Sequence, residues 1–323
     1  MKKTFRCINL IIILVILASC SNETEEFEKP LPTLLSSPET YIEGEQEFEI
    51  YTYYQSFLDF LAQAEKQPDN VEEIYKNTVL NSFKENGFSY SDFNAEIFYT
   101  PSDVVKLRNT IEVLIERQDE LNTTIKQALA TSVAELPGGS KKIHIMPIIP
   151  EITHNIEEEA GSVGGYAWNK NNIVLLVGPS FLEVDLAYTV AHEYHHVVYM
   201  DTKGGKWYTL LEQAVLEGKA DTFATMLYPE SFMSYYEPFT TEENTKVMAI
   251  FSANLESTDV ELSVDFLYGD EREDIPQFAT YIIGSQIMEA LLTKHSNLTV
   301  EEWTKMPAKE VLEKSNLLLN KTE

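Results

Sequence analysis

The sequence predicts a mixed α+β fold that is mostly helical and holds one small β-sheet. Two observations carry this prediction. Apolar side chains recur every three or four positions over residues 46–135 and again from residue 185 onward, which is the spacing of amphipathic helices. Between these parts, residues 141–178 change to short runs rich in isoleucine and valine, bounded by proline and glycine, which favour strands.

The first 19 residues have the layout of an export signal. Three basic residues precede an apolar run over residues 8–17, which is shorter than the roughly 20 residues that a spanning helix needs. The sequence LASC at 17–20 then resembles a bacterial lipobox, a motif that implies cleavage before Cys20 and lipid attachment to its sulfur. We therefore expect a protein anchored by lipid to a cell membrane or outer membrane, outside the cytoplasm. A plain secretory signal with a coincidental cysteine is the main alternative, and a weak transmembrane anchor is the other.

Residues 20–45 are rich in glutamate, serine, threonine and proline, and we expect them to form an acidic, extended tether. The two cysteines of the chain are Cys7 and Cys20, so the mature domain has no disulfide and no thiolate that could hold a metal. The roughly 280 residues that follow the tether are enough for one large domain or two small ones.

The formal net charge of the whole chain is −28. A protein this acidic is repelled by the phosphates of nucleic acid and by anionic lipid headgroups, so neither is an expected partner. High solubility is the simplest interpretation of the charge. The sequence leaves the oligomeric state open.

Residues 46–139 form the predicted N-terminal helical region, placed over one side of a cleft. Helical spacing covers residues 51–66, 70–87 and 101–136, and the last segment is predicted as one helix. Residues 140–323 form the predicted catalytic region. It begins with a strand at 141–150, in which His144 is expected to be structural.

Further along the predicted catalytic region, an acidic loop at 157–159 precedes a hairpin or meander within residues 163–177. Helical spacing returns at about 207–227, near 241–256 and at 275–294, whereas residues 265–276 are predicted as a surface loop. One more helix, over residues 298–316, closes the domain.

The chemistry of the chain is concentrated in His192-Glu193-Tyr194-His195-His196, an H-E-x-x-H sequence. Positions four apart share a helix face, so His192 and His196 can both offer an imidazole to one ion. Glu193 lies beside the first ligand and can act as general base on a water molecule. His195 occupies a variable position and is expected to point elsewhere.

Two histidines do not complete a catalytic zinc site, which takes three protein ligands and leaves a position open. The next helical segment contains Glu217-Gly218-Lys219-Ala220-Asp221. Glu217 is the expected third ligand. Asp221 lies one turn later on the same face and can accept a hydrogen bond from the second ring nitrogen of a ligating histidine.

The stretches HEYHHVV and LLEQAVLEGKAD resemble the predicted zinc-dependent protease family of bacteria, which has lipoprotein members. The layout is also similar to that of gluzincins, the thermolysin-like metallopeptidases with H-E-x-x-H and a downstream E-x-x-x-D. The resemblance covers roughly residues 140–295. Family members often have E-G-L-A where this chain has Lys219, a position that is not a ligand.

The resemblance implies a zincin-like fold with a small sheet beside the active-site helix, one strand of which pairs with an extended substrate. That sheet edge would lie within residues 163–177, although an ordinary core strand remains the alternative. Tyr281-Ile282-Ile283-Gly284 resembles the family's Y-x-x-G stretch. Tyr281 could hydrogen-bond the oxyanion of a tetrahedral intermediate. A core tyrosine is the other interpretation, and Gly284 is expected to allow close helix packing.

The sequence thus predicts an extracytoplasmic metallopeptidase that holds Zn²⁺ and acts on a peptide or protein substrate. A lipoprotein that binds zinc or peptide without catalysis is the second hypothesis. Glu193 favours the enzyme, because a pure binding site needs no carboxylate beside its first ligand. A structural zinc site would normally be closed by a fourth protein ligand.

Overall fold

The sheet begins with a β-hairpin close to the N-terminal end of the region that the structure describes. The computed structural model describes residues 32–35, 37–149, 162–203, 208–231 and 238–318. Strand β1 (Glu39–Glu43) pairs with β2 (Gln46–Thr52) in antiparallel fashion around Gly44, which has a φ of +60°. The predicted export signal, Cys20 and the acidic loop at 157–159 lie outside the described residues.

This hairpin corrects two expectations, namely that the tether extends to residue 45 and that helix begins soon after it. In β2, Gln46, Phe48 and Ile50 are buried and the residues between them are more exposed. That alternation has the period of two that belongs to a strand, and the tyrosines that follow it had suggested helical spacing.

The helical region that follows contains α1 (Tyr54–Ala64), α2 (Val71–Tyr75), α3 (Asn81–Glu85), α4 (Val104–Glu116) and α5 (Gln118–Glu135), with a π-helical turn at Lys76–Leu80 joining α2 to α3. The single helix predicted over residues 101–136 is therefore wrong. The segment instead forms two helices that are separated at Arg117. The Arg117 guanidinium donates hydrogen bonds of 3.1 Å to the carbonyls of Pro179 and Phe181. This contact ties the α4–α5 junction to the loop before the next helix.

Three further strands complete one mixed sheet: β3 (Lys141–Pro147), β4 (Val163–Asn169) and β5 (Asn172–Val177). The strand order is β1-β2-β3-β5-β4. Strand β3 runs parallel to both β2 and β5, and β4 forms an antiparallel hairpin with β5. The predicted strand and hairpin are confirmed, and β4 is an edge strand.

His144 is a core residue of β3, as expected. Its Nδ1 lies 2.9 Å from the Tyr53 hydroxyl and its Nε2 lies 2.8 Å from Oδ1 of Asn172. Burial lowers the pKa of His144 to about 4, so the ring is neutral at pH 7.

Seven helices follow in the described part of the chain: α6 (Glu183–Lys203), α7 (Leu210–Leu227), α8 (Thr241–Ala253), α9 (Val260–Tyr268), α10 (Ala279–Lys294), α11 (Val300–Lys305) and α12 (Ala308–Ser315). The loop predicted over 265–276 is partly wrong, because α9 continues to Tyr268 and is capped by Gly269, where φ is +85°. The single closing helix is also wrong, because Pro307 separates α11 from α12.

Helix α6 is positioned by contacts with α5, α7 and the edge strand β4, and α7 packs along α10. The mostly helical α+β architecture is confirmed, and the predicted H-E-x-x-H helix lies beside the sheet edge. Within the described ranges, no helix is both long enough and apolar enough to cross a membrane.

Candidate metal centre

The middle of α6 brings two imidazoles together. His192 and His196 are one turn apart, and their Nε2 atoms lie 2.9 Å from each other. Both side chains are buried, at 7% and 6% exposure. Two neutral nitrogen lone pairs repel each other at this distance, so the arrangement needs a proton or a cation between them.

Glu217 reaches the same point from α7. The helix starts at a capping box in which Thr209 and Glu212 satisfy each other's backbone N–H groups, and Glu217 lies in its second turn. Glu217 Oε2 lies 3.3 Å from Nε2 of His192 and 3.2 Å from Nε2 of His196. Among the described residues, these three form the group whose ligand atoms converge closely enough to hold a metal ion.

The spacing of the three atoms fits zinc. Zinc holds nitrogen and oxygen ligands at about 2.0–2.1 Å in a tetrahedron, which separates neighbouring ligand atoms by about 3.3 Å. The observed separations of 2.9, 3.2 and 3.3 Å are close to that value. Two imidazoles and one carboxylate are also one of the ligand sets that catalytic zinc uses.

Asp221 lies behind this triangle. Its Oδ1 is 2.9 Å from Nδ1 of His192 and also accepts a hydrogen bond of 3.2 Å from the Tyr188 hydroxyl. A proton on Nδ1 leaves Nε2 of His192 with its lone pair directed at the triangle. Asp221 therefore has the position that the sequence predicted for it, one turn after Glu217.

The charges around the triangle favour a cation. Burial lowers the pKa of His192, but Asp221 and Glu217 outweigh it and hold the pKa well above its ordinary value. Burial raises the pKa of Glu217, but His196 and His192 outweigh it and hold the pKa well below its ordinary value. Both shifts mean that positive charge is stabilised where the three groups meet.

Glu193 belongs to the same helix but contacts the sheet. A Cβ added to Gly165 of β4 would lie 2.5 Å from Cγ of Glu193 and 2.7 Å from its Oε1. The backbone N–H of Ala167 also donates to the Glu193 carboxylate. Burial raises the pKa of Glu193, and Glu217 adds to this, whereas His192 and His196 oppose it. The absence of a side chain at Gly165 thus lets the edge strand close over Glu193.

The open edge of β4 can be identified from its pairing with β5. Gly178 N–H donates to the carbonyl of Ser162 over 2.7 Å, and Ser162 lies just before the strand. In an antiparallel pair, bonded and non-bonded positions alternate, so Gly164 and Tyr166 bond to β5, up to the irregularity between Ala167 and Asn169. The peptide groups of Gly165 and Ala167 consequently face the open edge, in agreement with the Ala167 contact to Glu193.

Tyr281 lies on α10 beside the cluster. Its ring centroid is 6.4 Å from that of His192, and its side chain is half-buried. Gly284, one turn later, touches α7 directly: a Cβ there would lie 2.0 Å from the Ala214 carbonyl oxygen, and one on Gly218 would lie 2.2 Å from Gly284. The glycine pair sets the distance between α7 and α10, and so places Tyr281 next to His192.

His195, at the variable position of the motif, has its contacts outside the triangle of His192, His196 and Glu217. Its Nε2 lies 3.1 Å from Oγ1 of Thr304, and its ring stacks on Trp303 at 5.4 Å. Lys219 reaches the same region, where its Nζ donates to the carbonyls of Thr304 and Met306 over 3.0 and 2.7 Å. The sequence had marked Lys219 as a non-ligand but offered no signal for these partners.

Comparison with known proteins gives one family. No curated protein and no solved structure matched the chain. A family model described as "Predicted Zn-dependent protease (DUF2268)" matches residues 121–313, which include all residues of the candidate site. More than half of the chain is covered, and the chain therefore belongs to the DUF2268 family of predicted Zn-dependent proteases.

Proposed function

We propose that this protein is a zinc metallopeptidase that hydrolyses peptide bonds outside the cytoplasm. The observation that carries the proposal is the convergence of His192, His196 and Glu217 on one point, with Glu193 beside them under the sheet edge. His192, His196 and Glu217 would hold the zinc ion. Asp221 would orient His192 through its Nδ1.

When zinc is bound, it supplies a Lewis acid that polarises the scissile carbonyl and lowers the pKa of a water molecule. Glu193 does the proton transfer in this scheme. Its carboxylate takes a proton from the attacking water and passes it to the leaving amine. The Ala167 N–H and the backbone of Gly165 hold that carboxylate against β4, which fixes the direction from which it can act.

An extended peptide is the substrate that suits this cleft. The peptide groups of Gly165 face the open edge of β4, next to Glu193. Exposed strand edges bind peptides through main-chain hydrogen bonds that do not depend on side-chain identity. Such pairing would lay the scissile bond across the metal centre.

Tyr281 is our candidate for contact with the oxyanion. Its ring lies beside His192, at the border of the metal centre. A phenol hydroxyl aimed at the developing oxyanion stabilises the transition state more than the ground state. In this role Tyr281 would contribute to catalysis without binding zinc.

Two other functions account for less of the site. A structural zinc site would be closed by a fourth protein ligand, whereas the described residues bring three ligating side chains together. A non-catalytic zinc- or peptide-binding lipoprotein would use the same ligands. It would have no need for the carboxylate of Glu193 beneath the strand edge.

Lipid on Cys20 is our proposal for the location. Each buried methylene adds about 0.8 kcal/mol of membrane affinity, so two or three acyl chains anchor a protein stably. Cys20→Ser should release the protein from membranes or stop its processing. A Cys20→Ser protein that stays in the membrane at mature size would refute the anchor and leave the peptidase proposal intact.

The test of the proposed activity is a digest of an unbiased peptide library by the purified protein, with and without a zinc chelator. We expect that the protein cleaves peptides, that the chelator abolishes this cleavage, and that added Zn²⁺ restores it. About one zinc per chain should accompany the activity, because the three ligands define one site. A zinc-loaded protein that cleaves no peptide would favour the binding function.

A further inference from the structure

Lys219 is a buried lysine in the middle of the helix that carries Glu217. It lies on α7 between Glu217 and Asp221, and it is fully buried, at 0% exposure. A lysine is almost never fully buried unless its ammonium group has partners. Lys219 has no part in the proposed proton transfer, and its burial beside two residues of the metal centre therefore needs another reason.

The partners of Lys219 are carbonyls at the end of α11. Its Nζ donates to the carbonyl of Thr304 over 3.0 Å and to that of Met306 over 2.7 Å, and it lies 4.9 Å from the centre of the Tyr199 ring. The last four carbonyls of a helix have no intrahelical N–H partner, and Met306 is the C-cap of α11. Thr304 and Met306 are buried, so the ammonium group takes the place that water has at an exposed helix end.

The same end of α11 is fixed to α6. Trp303, next to Thr304, is 1% exposed and stacks on the ring of His195, with centroids 5.4 Å apart. His195 directly precedes the candidate ligand His196 in α6. We call residues 303–306 the α11 end. Lys219 thus joins α7 to a short segment that already packs against the histidine helix.

The glycine contact between α7 and α10 restrains the rotation of α7 only weakly. Gly218 touches Gly284, and this contact sets the distance between the two helices. Neither glycine has a side chain that could resist turning of α7 about its axis. Lys219 is the next residue, and its side chain leaves the helix about 100° around the axis from position 218. The contacts of Gly218 and Lys219 together therefore fix the rotation of α7.

The rotation of α7 matters because Glu217 and Asp221 both reach the histidines of α6 from this helix. Side-chain atoms lie about 5–6 Å from the helix axis, so a turn of about 10° moves them by about 1 Å. A set of ligands has to be held within roughly 0.5 Å of its productive geometry. A small rotation of α7 would therefore disturb the distances of 3.3 and 2.9 Å that join His192 to Glu217 and to Asp221.

We propose that Lys219 is a positioning residue of the metal centre, which holds Glu217 and Asp221 in place by tying α7 to the α11 end. In this role it binds no metal and touches no substrate. The inference rests on the metal centre of the proposed function, and it does not depend on peptide hydrolysis. A buried lysine that serves only the stability of the fold is the alternative.

The test compares Lys219→Met with Lys141→Met in the full-length protein. Lys141 is the matched control, because it is 2% exposed and its Nζ donates to the carbonyl of Lys170 and to Asp201, both over 2.7 Å. Each substitution removes a buried ammonium group from its acceptors, so both should lower the midpoint of urea unfolding. Only Lys219→Met should weaken zinc binding, by about ten-fold or more, in competition with a chelator of known affinity.

A second measurement follows the geometry of the ligands without using activity. The visible absorption of protein loaded with Co²⁺ depends on the number and arrangement of the ligands around the ion. Lys219→Met should change this spectrum, whereas Lys141→Met should keep that of the wild type. A loss of stability alone would leave the spectrum of the folded protein unchanged, so this readout separates positioning from stability.

Lys219→Gln decides the matter where Lys219→Met does not fold. Its side chain is shorter but keeps an N–H donor for one carbonyl, so its zinc affinity should also fall below that of the wild type.

The outcomes separate failure of the positioning role from failure of the function. Weaker zinc binding and an altered Co²⁺ spectrum that are confined to the Lys219 variants support the proposal, even when the wild type cleaves no peptide. Wild-type affinity and spectrum in a folded Lys219 variant, or equal weakening in Lys141→Met, overturn it and leave the peptidase function standing. A wild type that binds no zinc overturns both.

Discussion

His192 and His195 are on the same helix, in the same pentapeptide, and have opposite surroundings. His192 lies between two carboxylates, with Nε2 at 3.3 Å from Glu217 and Nδ1 at 2.9 Å from Asp221. Burial lowers its pKa, but these carboxylates raise it well above its ordinary value. His192 is thus placed where positive charge is stabilised.

The surroundings of His195 disfavour positive charge. His195 is fully buried against Trp303, and burial lowers its pKa well below the ordinary value, with further lowering by the charges of His196 and Lys219. The two histidines are equally helical and similarly buried. The difference between a candidate ligand and a core residue therefore comes from the carboxylates of α7.

The largest expected effect comes from replacing Glu193, the proposed general base beside His192. Glu193→Gln keeps the size of the side chain and leaves His192, His196 and Glu217 in place, so zinc should stay bound. It removes the base, and general-base catalysis contributes about 10²–10⁴-fold. Peptide hydrolysis should fall by at least this factor, while zinc measured on the same sample is unchanged.

Glu289→Gln is the control for this substitution, because Glu289 is an exposed carboxylate on α10 outside the metal centre. Its activity and zinc content should match those of the wild type. Full activity in zinc-loaded Glu193→Gln protein would rule out the mechanism that we propose.

The next effect tests whether the carboxylate behind His192 tunes the site. Asp221→Asn keeps the shape but removes the charge beside Nδ1 of His192. Loss of such a partner typically lowers metal affinity about 10–100-fold. Competition with a chelator of known affinity measures the change, and an unaltered zinc affinity would show that Asp221 only packs against His192.

Local spacing in the sequence was sufficient to predict which residues of the metal centre form pairs. Residues four apart on a helix share a face whatever the rest of the fold does, so His192 with His196 and Glu217 with Asp221 could each be paired in advance. Zinc needs a third ligand beside the two histidines. This requirement predicted that the Glu217–Asp221 pair of α7 lies next to the histidine pair of α6. The described geometry agrees with each of these placements.

Partners that are distant in the chain could not be predicted. Lys219 binds carbonyls of Thr304 and Met306, about 85 residues later, and no periodicity links them. The hairpin at residues 39–52 was missed for a related reason. Its place in the sheet depends on parallel pairing of β2 with β3, roughly 90 residues away, which local spacing does not reveal.

A smaller effect tests how closely β4 covers Glu193. Gly165→Ala introduces a Cβ 2.5 Å from Cγ of Glu193, so the carboxylate or the strand must shift. A displacement of this kind should lower the hydrolysis rate by about ten-fold or more and leave the zinc content unchanged, because the atoms nearest to the added Cβ belong to Glu193 and Thr189, which are not among the three ligands. Gly139→Ala is the control, since a Cβ there meets nothing within 4 Å. Equal rates for the two variants would mean that the strand yields without moving Glu193.

The smallest effect on the metal centre is expected from a substitution of His195. His195→Phe keeps an aromatic ring on Trp303 but removes the contact of 3.1 Å with Oγ1 of Thr304. Losing one partner of a buried hydrogen bond costs about 1–3 kcal/mol, so the midpoint of urea unfolding should decrease. Zinc affinity and hydrolysis should stay at wild-type levels, since His195 contacts Thr304 and Trp303 and is not one of the three converging ligands. His192→Phe is the matched substitution three residues earlier, and it should abolish zinc binding. If His195→Phe also lost zinc, His195 would be part of the metal centre, and the histidine cluster as a whole would matter more than the ligand spacing.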